Sequence, residues 1–276
     1  MQKFAVLGHP INHSFSPVMH QASFRSIGFE GTYERRDVPP ETLQDALNAL
    51  ADEGFTGVNL TIPHKQLALP MMDTLTPEAQ RLGAVNTVLF KDGKMSGHNT
   101  DAPGFLAAAK AELGFQPHGA HVAVIGCGGA GRAIAITLAY SGIAEMNLID
   151  IDTDKVAQVT QEIAKAHIPC HRISTEELST VDFIAQCSPS GLAVFPGPAA
   201  LRSNFRAEQM LYDIVISPTC LVTPTMVEAR AAGVTCCNGT SMLVEQGALS
   251  FEFWTGLQPD RIAMRRAVDE GLKTHE

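Results

Sequence analysis

The sequence predicts an α/β protein built from two units. Three observations carry that expectation. Short apolar runs alternate with segments of helical period along the whole chain. A glycine-rich stretch, Gly126-Cys-Gly128-Gly-Ala-Gly131, sits between one such run and one such segment. A length of 276 residues exceeds what one minimal core needs and suits two modest domains.

The elements follow in order. Phe4 to Gly8 reads as a strand, and Pro17 to Ile27 as a helix with Ser16 as N-cap and proline at the first helical position. Gly31 to Val38 is a second strand. Pro40 to Glu53 carries Leu43, Ala46, Leu47 and Leu50 on one face, which is helical spacing. Gly57 to Leu60 is a buried strand ending in polar Thr61. Val85 to Phe90 and Lys94 to His98 flank Lys91-Asp92-Gly93, a hairpin signal. Asp101 then caps a helix running to about Leu113. In the second unit, Val122 to Ile125 is a strand, Gly126 to Gly131 a turn and Arg132 to Tyr140 a helix. Met146 to Asp150 and Thr153 to Ala166 repeat the strand and helix, and Phe183 to Ala185 and Leu211 to Ile216 are further strands. Helices at Met242 to Thr255 and Pro259 to Leu272 close the chain without a further strand. These boundaries predict a first unit over 1–103, a second over 104–239, and C-terminal helices over 240–276 that pack back on the first.

The glycine-rich stretch fits Gly-x-Gly-x-x-Gly, here after an apolar strand and before a helix. Gly126 allows the tight turn, Gly128 lets a pyrophosphate approach the backbone, and Gly131 lets helix and strand pack closely. The helix N-terminus, from Gly129 and Ala130 on, offers amide N–H groups and partial positive charge to phosphates. The pattern predicts a Rossmann-type dinucleotide-binding unit. The next strand ends in Asp150, at about the 20-residue offset where an acid meets the adenosine ribose. A carboxylate there binds ribose hydroxyls and repels the extra phosphate of NADP, and position 151 is Ile, not Arg. The cofactor expected is therefore NAD, with NADP disfavoured. Asp152 either joins Asp150 at the ribose or caps the next helix.

Bulk composition narrows the partners. A hydrophobic fraction of 45% and a charged fraction of 18% describe a globular chain. A formal net charge of −9 argues against a nucleic-acid partner but not against a small anionic substrate. The N-terminus has no signal-peptide pattern, and no window nears the roughly 18 apolar residues that cross a bilayer. The six cysteines (Cys127, Cys170, Cys187, Cys220, Cys236, Cys237) lack the spacing of a disulfide framework and read as reduced, mostly buried residues of a cytoplasmic protein.

Polar residues in the first unit gather where strands end. Ser14 and Ser16 follow the first strand; Asn59, Thr61 and Lys65 follow another; Asn86 and Thr87 open the hairpin, and Asn99, Thr100 and Asp101 end it. Ligand sites of α/β sheets lie at such positions. Each also has a plain structural reading, as an N-cap, a turn residue or a surface lysine.

Five ordered motifs are similar to one family. Gly8-His-Pro10-Ile-Asn-His13-Ser14-Phe-Ser16-Pro17 resembles the opening signature of the shikimate and quinate dehydrogenases. Asn59-Leu-Thr61-Ile-Pro63-His-Lys65 resembles their lysine motif. Gly83-Ala-Val-Asn86-Thr87 and Gly97-His-Asn99-Thr100-Asp101 resemble two more. Met242-Leu-Val-Glu-Gln246-Gly-Ala, with Phe251 and Trp254-Thr-Gly256, resembles their last long helix. The resemblance implies that Lys65 and Asp101 form the catalytic pair, and that Ser14 and Ser16 hold a substrate carboxylate. It further implies that Thr61, Asn86, Asp101 and Gln246 bind ring hydroxyls of a small hydroxylated ring carboxylate. It implies an oxidoreductase of aromatic amino acid biosynthesis, on the chorismate pathway, working as a monomer or homodimer. Asp150-Ile-Asp152-Thr153 replaces the Asn-Arg-Thr of the NADP-using members and looks like the NAD-using branch. The loop Gln186-Cys-Ser-Pro-Ser-Gly-Leu192 departs from the family's Asn-Ala-Thr-Pro-x-Gly-Met, Ile216 stands where the family has a tyrosine, and Glu245 where it has a histidine.

Alternatives stay open at this point: a dehydrogenase of a related hydroxylated ring acid, with Ile216 reshaping the pocket, and a non-catalytic NAD-binding regulatory protein, against which retention of both Lys65 and Asp101 argues. His9, His13, His20, His64 and His98 crowd the first unit, but no spacing among them requires the three or so converging ligands of a metal site.

Overall fold

The computed structural model describes residues 1–12, 14–216 and 221–273; His13 and Cys220, singled out in the sequence, lie outside them. The chain divides into two compact units, one running to Gly104 and resuming at Leu243, the other covering Phe105–Met242.

The first unit contains β1 (Gln2–Gly8), α1 (Ser16–Ile27), β2 (Gly31–Asp37), α2 (Leu43–Asp52), β3 (Gly57–Leu60), α3 (His64–Leu67), β4 (Thr74–Leu75), α4 (Pro77–Leu82), β5 (Thr87–Lys91) and β6 (Lys94–His98). Its sheet has the order β2-β1-β3-β5-β6-β4. β1 pairs in parallel with β2 and β3, whereas β3–β5 and β5–β6 are antiparallel. The hairpin closes with Lys91 opposite Lys94, as the Asp-Gly signal requires. Strand alternation sorts β1 between two cores. Phe4 and Val6 pack with Phe24, Tyr33, Phe251 and Trp254; Ala5 and Leu7 face Leu43, Leu47 and Leu50 of α2. Ser16 is not the N-cap of α1. Phe15 holds that position, without a capping side chain, so Ser16 and Pro17 form the first helical turn.

α5 (Asp101–Leu113) leads into the second unit. There follow β7 (His121–Ile125), α6 (Gly129–Ala139), β8 (Glu145–Ile149), α7 (Thr153–Ile163), β9 (Cys170–Arg172), β10 (Phe183–Gln186), β11 (Met210–Asp213), α8 (Pro224–Ala231) and β12 (Thr235–Cys237). The sheet order is β12-β11-β10-β7-β8-β9, every pair parallel. That is the doubly wound order, with its switch point between β7 and β10. Alternation again divides the strand: Val122 and Val124 join the core with α6 and α7, while Ala123 and Ile125 join Leu211, Met226 and Ala229. The chain ends in α9 (Thr240–Thr255) and α10 (Arg261–Lys273). Among the described residues no helix is long and apolar enough to cross a membrane. Of the five described cysteines, Cys127 is buried and the others are half-buried.

Candidate active site

In the first unit the polar residues converge on one edge of the sheet. β3 and β6 end there, β5 begins there, and α9 covers it. Lys65, in the single turn of α3, donates from Nζ to Asp101 Oδ2 at 2.7 Å. The two side chains keep 33% and 18% of their surface open, so the pair is formed but still reachable by a ligand. Backbone bonds hold both ends. Val85 N donates to the Lys65 carbonyl at 2.7 Å, and Asp101 N donates to Asn99 Oδ1 at 3.1 Å. Asp101 thus opens α5 while its own carboxylate serves Lys65.

Beneath the pair lies a buried polar network. Asn59 Nδ2 donates to Ser250 Oγ (2.9 Å), Thr87 Oγ1 (3.1 Å) and the Asn86 carbonyl (3.1 Å), and its Oδ1 accepts from the Tyr33 hydroxyl at 2.7 Å. Asn86 Oδ1 accepts from Thr100 N at 2.8 Å and from Thr87 Oγ1 at 2.9 Å, and Asn86 Nδ2 lies 3.5 Å from Gln246 Oε1. The Ser250 hydroxyl donates to the Gln246 carbonyl within α9 at 2.9 Å, and its bonds to Asn59 Nδ2 and Thr87 Oγ1 (2.8 Å) tie α9 to the strand ends. Asn59, Asn86, Thr87, Thr100 and Ser250 are all buried. Their mutual bonds offset the cost of burying them and fix their rotamers.

Of the residues singled out in the sequence, Lys65 meets Asp101 and Asn86 meets Gln246. Ser14 Oγ accepts from Ser16 N at 3.3 Å at the uncapped start of α1. Thr61 is half-buried beyond β3, its N–H given to the Leu7 carbonyl at 2.9 Å. Sequence reasoning missed Tyr33 and Ser250. Ser250 carried a usable signal, lying four residues after Gln246 on the same helix face. Tyr33 carried none, since a tyrosine in a strand reads as core.

In the second unit, Gly126 (φ +93°) turns the chain after β7, and a Cβ on Gly131 would collide with the Gly126 carbonyl oxygen. Gly128, Gly129 and Ala130 are exposed, and a Cβ on Gly128 or Gly129 would meet nothing within 4 Å. α6 has no side-chain cap, and its bonding starts with Arg132 N donating to the Gly128 carbonyl at 2.7 Å. An open, glycine-walled cradle at an uncapped helix start, at the switch point of a parallel sheet, fits a dinucleotide pyrophosphate. Asp150 accepts from Cys127 N (2.6 Å) and Asp152 N (2.8 Å), one bond to each oxygen. Asp152 caps α7, accepting from Asp154 N and Lys155 N, and pairs with Lys155 Nζ at 3.2 Å.

A doubly wound nucleotide unit, in one chain with a mixed-sheet unit presenting a lysine–aspartate pair, defines a dehydrogenase of a small polar substrate. Residues 6–88 match the shikimate dehydrogenase substrate binding domain, and residues 239–268 the shikimate 5'-dehydrogenase C-terminal domain. The chain belongs to the shikimate dehydrogenase family. A relative from Thermus thermophilus, shikimate dehydrogenase (NADP(+)), is 41% identical over 275 residues, 99% of each chain. The crystal structure of shikimate 5-dehydrogenase from Thermus thermophilus in complex with NADP(H) and shikimate superposes with a TM-score of 0.89, at 38% identity, covering 98% of this chain and 100% of that one. Quinate dehydrogenase from Corynebacterium glutamicum in complex with NAD gives a TM-score of 0.88 at 29% identity, covering 98% and 99%.

These findings correct the expected cofactor. The sequence pointed to NAD through Asp150 and Asp152, yet the more similar relatives are named for NADP(+) or hold NADP(H). The physical reason lies in what the carboxylates do. Both Asp150 oxygens are bonded to backbone N–H groups, and Asp152 is committed to a helix cap and a lysine. A carboxylate satisfied in this way is a weaker argument against a neighbouring 2′-phosphate than its position in the sequence suggested.

Proposed function

We propose that the chain catalyses the NADP-dependent interconversion of shikimate and its 3-dehydro ketone. The Lys65–Asp101 bond of 2.7 Å on the polar edge of the first sheet is the observation that most supports this reading. Bound NADP supplies or takes the hydride at the ring carbon. The protein's task is to hold the ring and move one proton. In ketone reduction, the Lys65 ammonium gives a proton from Nζ to the oxygen that becomes the hydroxyl; in alcohol oxidation, the neutral amine takes it back. Asp101 orients the amine and accepts a bond from a ring hydroxyl. The start of α1, with the Ser14 and Ser16 hydroxyls, holds the substrate carboxylate, aided by the uncapped helix N-terminus. Thr61, Gln246 and the Asn86 amide bind the remaining hydroxyls, with Asn86 held by Thr87 and Thr100. Gly126 turns the chain so that the amides of Gly128, Gly129, Ala130 and Gly131 would hold the pyrophosphate. Thr153, exposed at the start of α7, offers its hydroxyl to a 2′-phosphate, and Lys155 adds positive charge nearby while keeping its pair with Asp152.

Lys65→Met is the test. The variant should keep the circular dichroism and melting behaviour of the wild type while kcat for shikimate falls by about two to four orders of magnitude. Turnover close to wild type would remove Lys65 from its role.

A further inference from the structure

Asp150 stands one residue beyond β8, and Cys127 lies two residues beyond the end of β7, on the neighbouring parallel strand. Two successive amides of the glycine-rich turn are bound to the end of β8. Gly126 N donates to the Ile149 carbonyl at 2.7 Å, and Cys127 N donates to Asp150 Oδ2 at 2.6 Å. The amides that follow, at the start of α6, have no partner within their own helix and are the ones a phosphate meets. The other Asp150 oxygen takes Asp152 N at 2.8 Å, and Asp152 in turn caps α7. One carboxylate therefore laces the phosphate-binding turn to the head of the next helix. Its charge is felt at the turn: burial pushes the Cys127 thiol up to about 12, and Asp150 adds to the rise. Between the two aspartates, the Ile151 side chain projects fully into solvent, with no polar group to read a ribose.

We propose that Asp150 is a positioning residue: its carboxylate braces the phosphate-binding turn through the Cys127 amide and does not read the adenosine ribose, so it serves NADP and NAD alike. The proposal rests on the reading of residues 126–131 as the dinucleotide's phosphate site. It differs from that reading in what it demands of ligands. A brace acts on whatever carries a pyrophosphate, whereas a ribose reader acts on whatever carries the adenosine ribose.

The experiment is calorimetric titration of wild-type protein, Asp150→Ala and Asp150→Asn with NADP, NAD and 2′-AMP. The last carries the ribose and its 2′-phosphate but no pyrophosphate. In Asp150→Ala, the Kd values for NADP and NAD should rise together by about ten-fold, as for the loss of a charge-assisted bond that fixes a loop, while that for 2′-AMP stays put. Asp150→Asn, which keeps one acceptor oxygen, should fall between. A parallel loss of 2′-AMP affinity, or a large change in the NADP-to-NAD ratio, overturns the proposal. Failure of the wild type to bind NADP at all would instead remove the site reading beneath it, and the proposal with it. A measurement on the wild type alone guards against a variant that misfolds. The Cys127 amide proton should resonate well downfield, as a short bond to a carboxylate demands, both without ligand and at saturating NADP. Its return to the ordinary amide range on binding would mean that Asp150 leaves the turn for the ligand, contrary to the proposal.

Discussion

His20 shows what burial does to a single side chain. It lies on α1, fully buried, its ring stacked on Tyr33 with centroids 4.3 Å apart, and neither ring nitrogen has a hydrogen-bond partner. Burial lowers its pKa from 6.5 to about 3. The unfolded chain therefore binds a proton at this residue where the folded chain refuses it. The corresponding stability is fully present above pH 6.5 and is lost as the pH falls towards 3, at up to roughly 1.4 kcal/mol per pH unit. His20→Phe keeps the stack and gives up no hydrogen bond. It should match the wild type in urea unfolding at pH 8 and exceed it at pH 5; an equal pH dependence in the two proteins would show that another group carries the acid loss. The sequence could not single out His20. It offered a crowd of histidines, and only the structure separates them. His9 sits at the surface beside Asp37, and His98 bonds Thr76 and stacks on Phe253. The meeting of Lys65 and Asp101 was more legible, because they sit in ordered motifs at strand ends. Ser250 and Tyr33 act one layer below, where a hydroxyl's role depends on what it touches and not on its type.

Among the elements, α9 carries the consequences. Trp254 Nε1 donates to the Val88 carbonyl at 2.9 Å, and Ser250 joins the network under the site. Arg261 of α10 clasps Glu245 (3.0 Å) and Glu252 (2.8 Å), one turn on either side of the middle of α9. Gly104 sets how near α5 comes: a Cβ there would lie 2.8 Å from Gln246 N and 2.9 Å from its Cα. Backbone cannot yield as a flexible side chain can, so Gly104→Ala must move α9 and Gln246 with it. Overpacking of this kind costs about 1–3 kcal/mol of stability. With Gln246 binding substrate as proposed, its displacement should also lower kcat/KM for shikimate by about ten- to a hundred-fold. Steady-state kinetics of the variant measure this, and unchanged kinetics would mean that Gln246 is not a substrate contact. Long elements such as α1, α2, α5 and α9 were legible because their periodicity spans two or more turns. The short α3, α4 and α8 and the strands β4, β9 and β12 were not, since two to eight residues hold too little pattern. The expected strand to Ile216 stops at Asp213, whose carboxylate draws the chain into a turn by accepting from Val215 N and the Thr223 hydroxyl.

For the whole molecule, the order of strands in each sheet decides where chemistry can sit. The mixed sheet gathers its polar residues at one edge, and the parallel sheet leaves its glycine-rich turn at the switch point. The fold class and the turn were readable from the sequence because strand–turn–helix patterns are local. Cofactor preference was not. The same residue type at the same spacing can face a ribose or bond the neighbouring backbone, as Asp150 does through both its oxygens. The decisive measurement is the initial rate of reduced-nicotinamide formation from shikimate and from quinate, each with NADP and with NAD. Turnover of shikimate with NADP should proceed at a higher kcat/KM than with NAD. No shikimate-dependent reduction of NADP, or a clear preference for NAD, would contradict it.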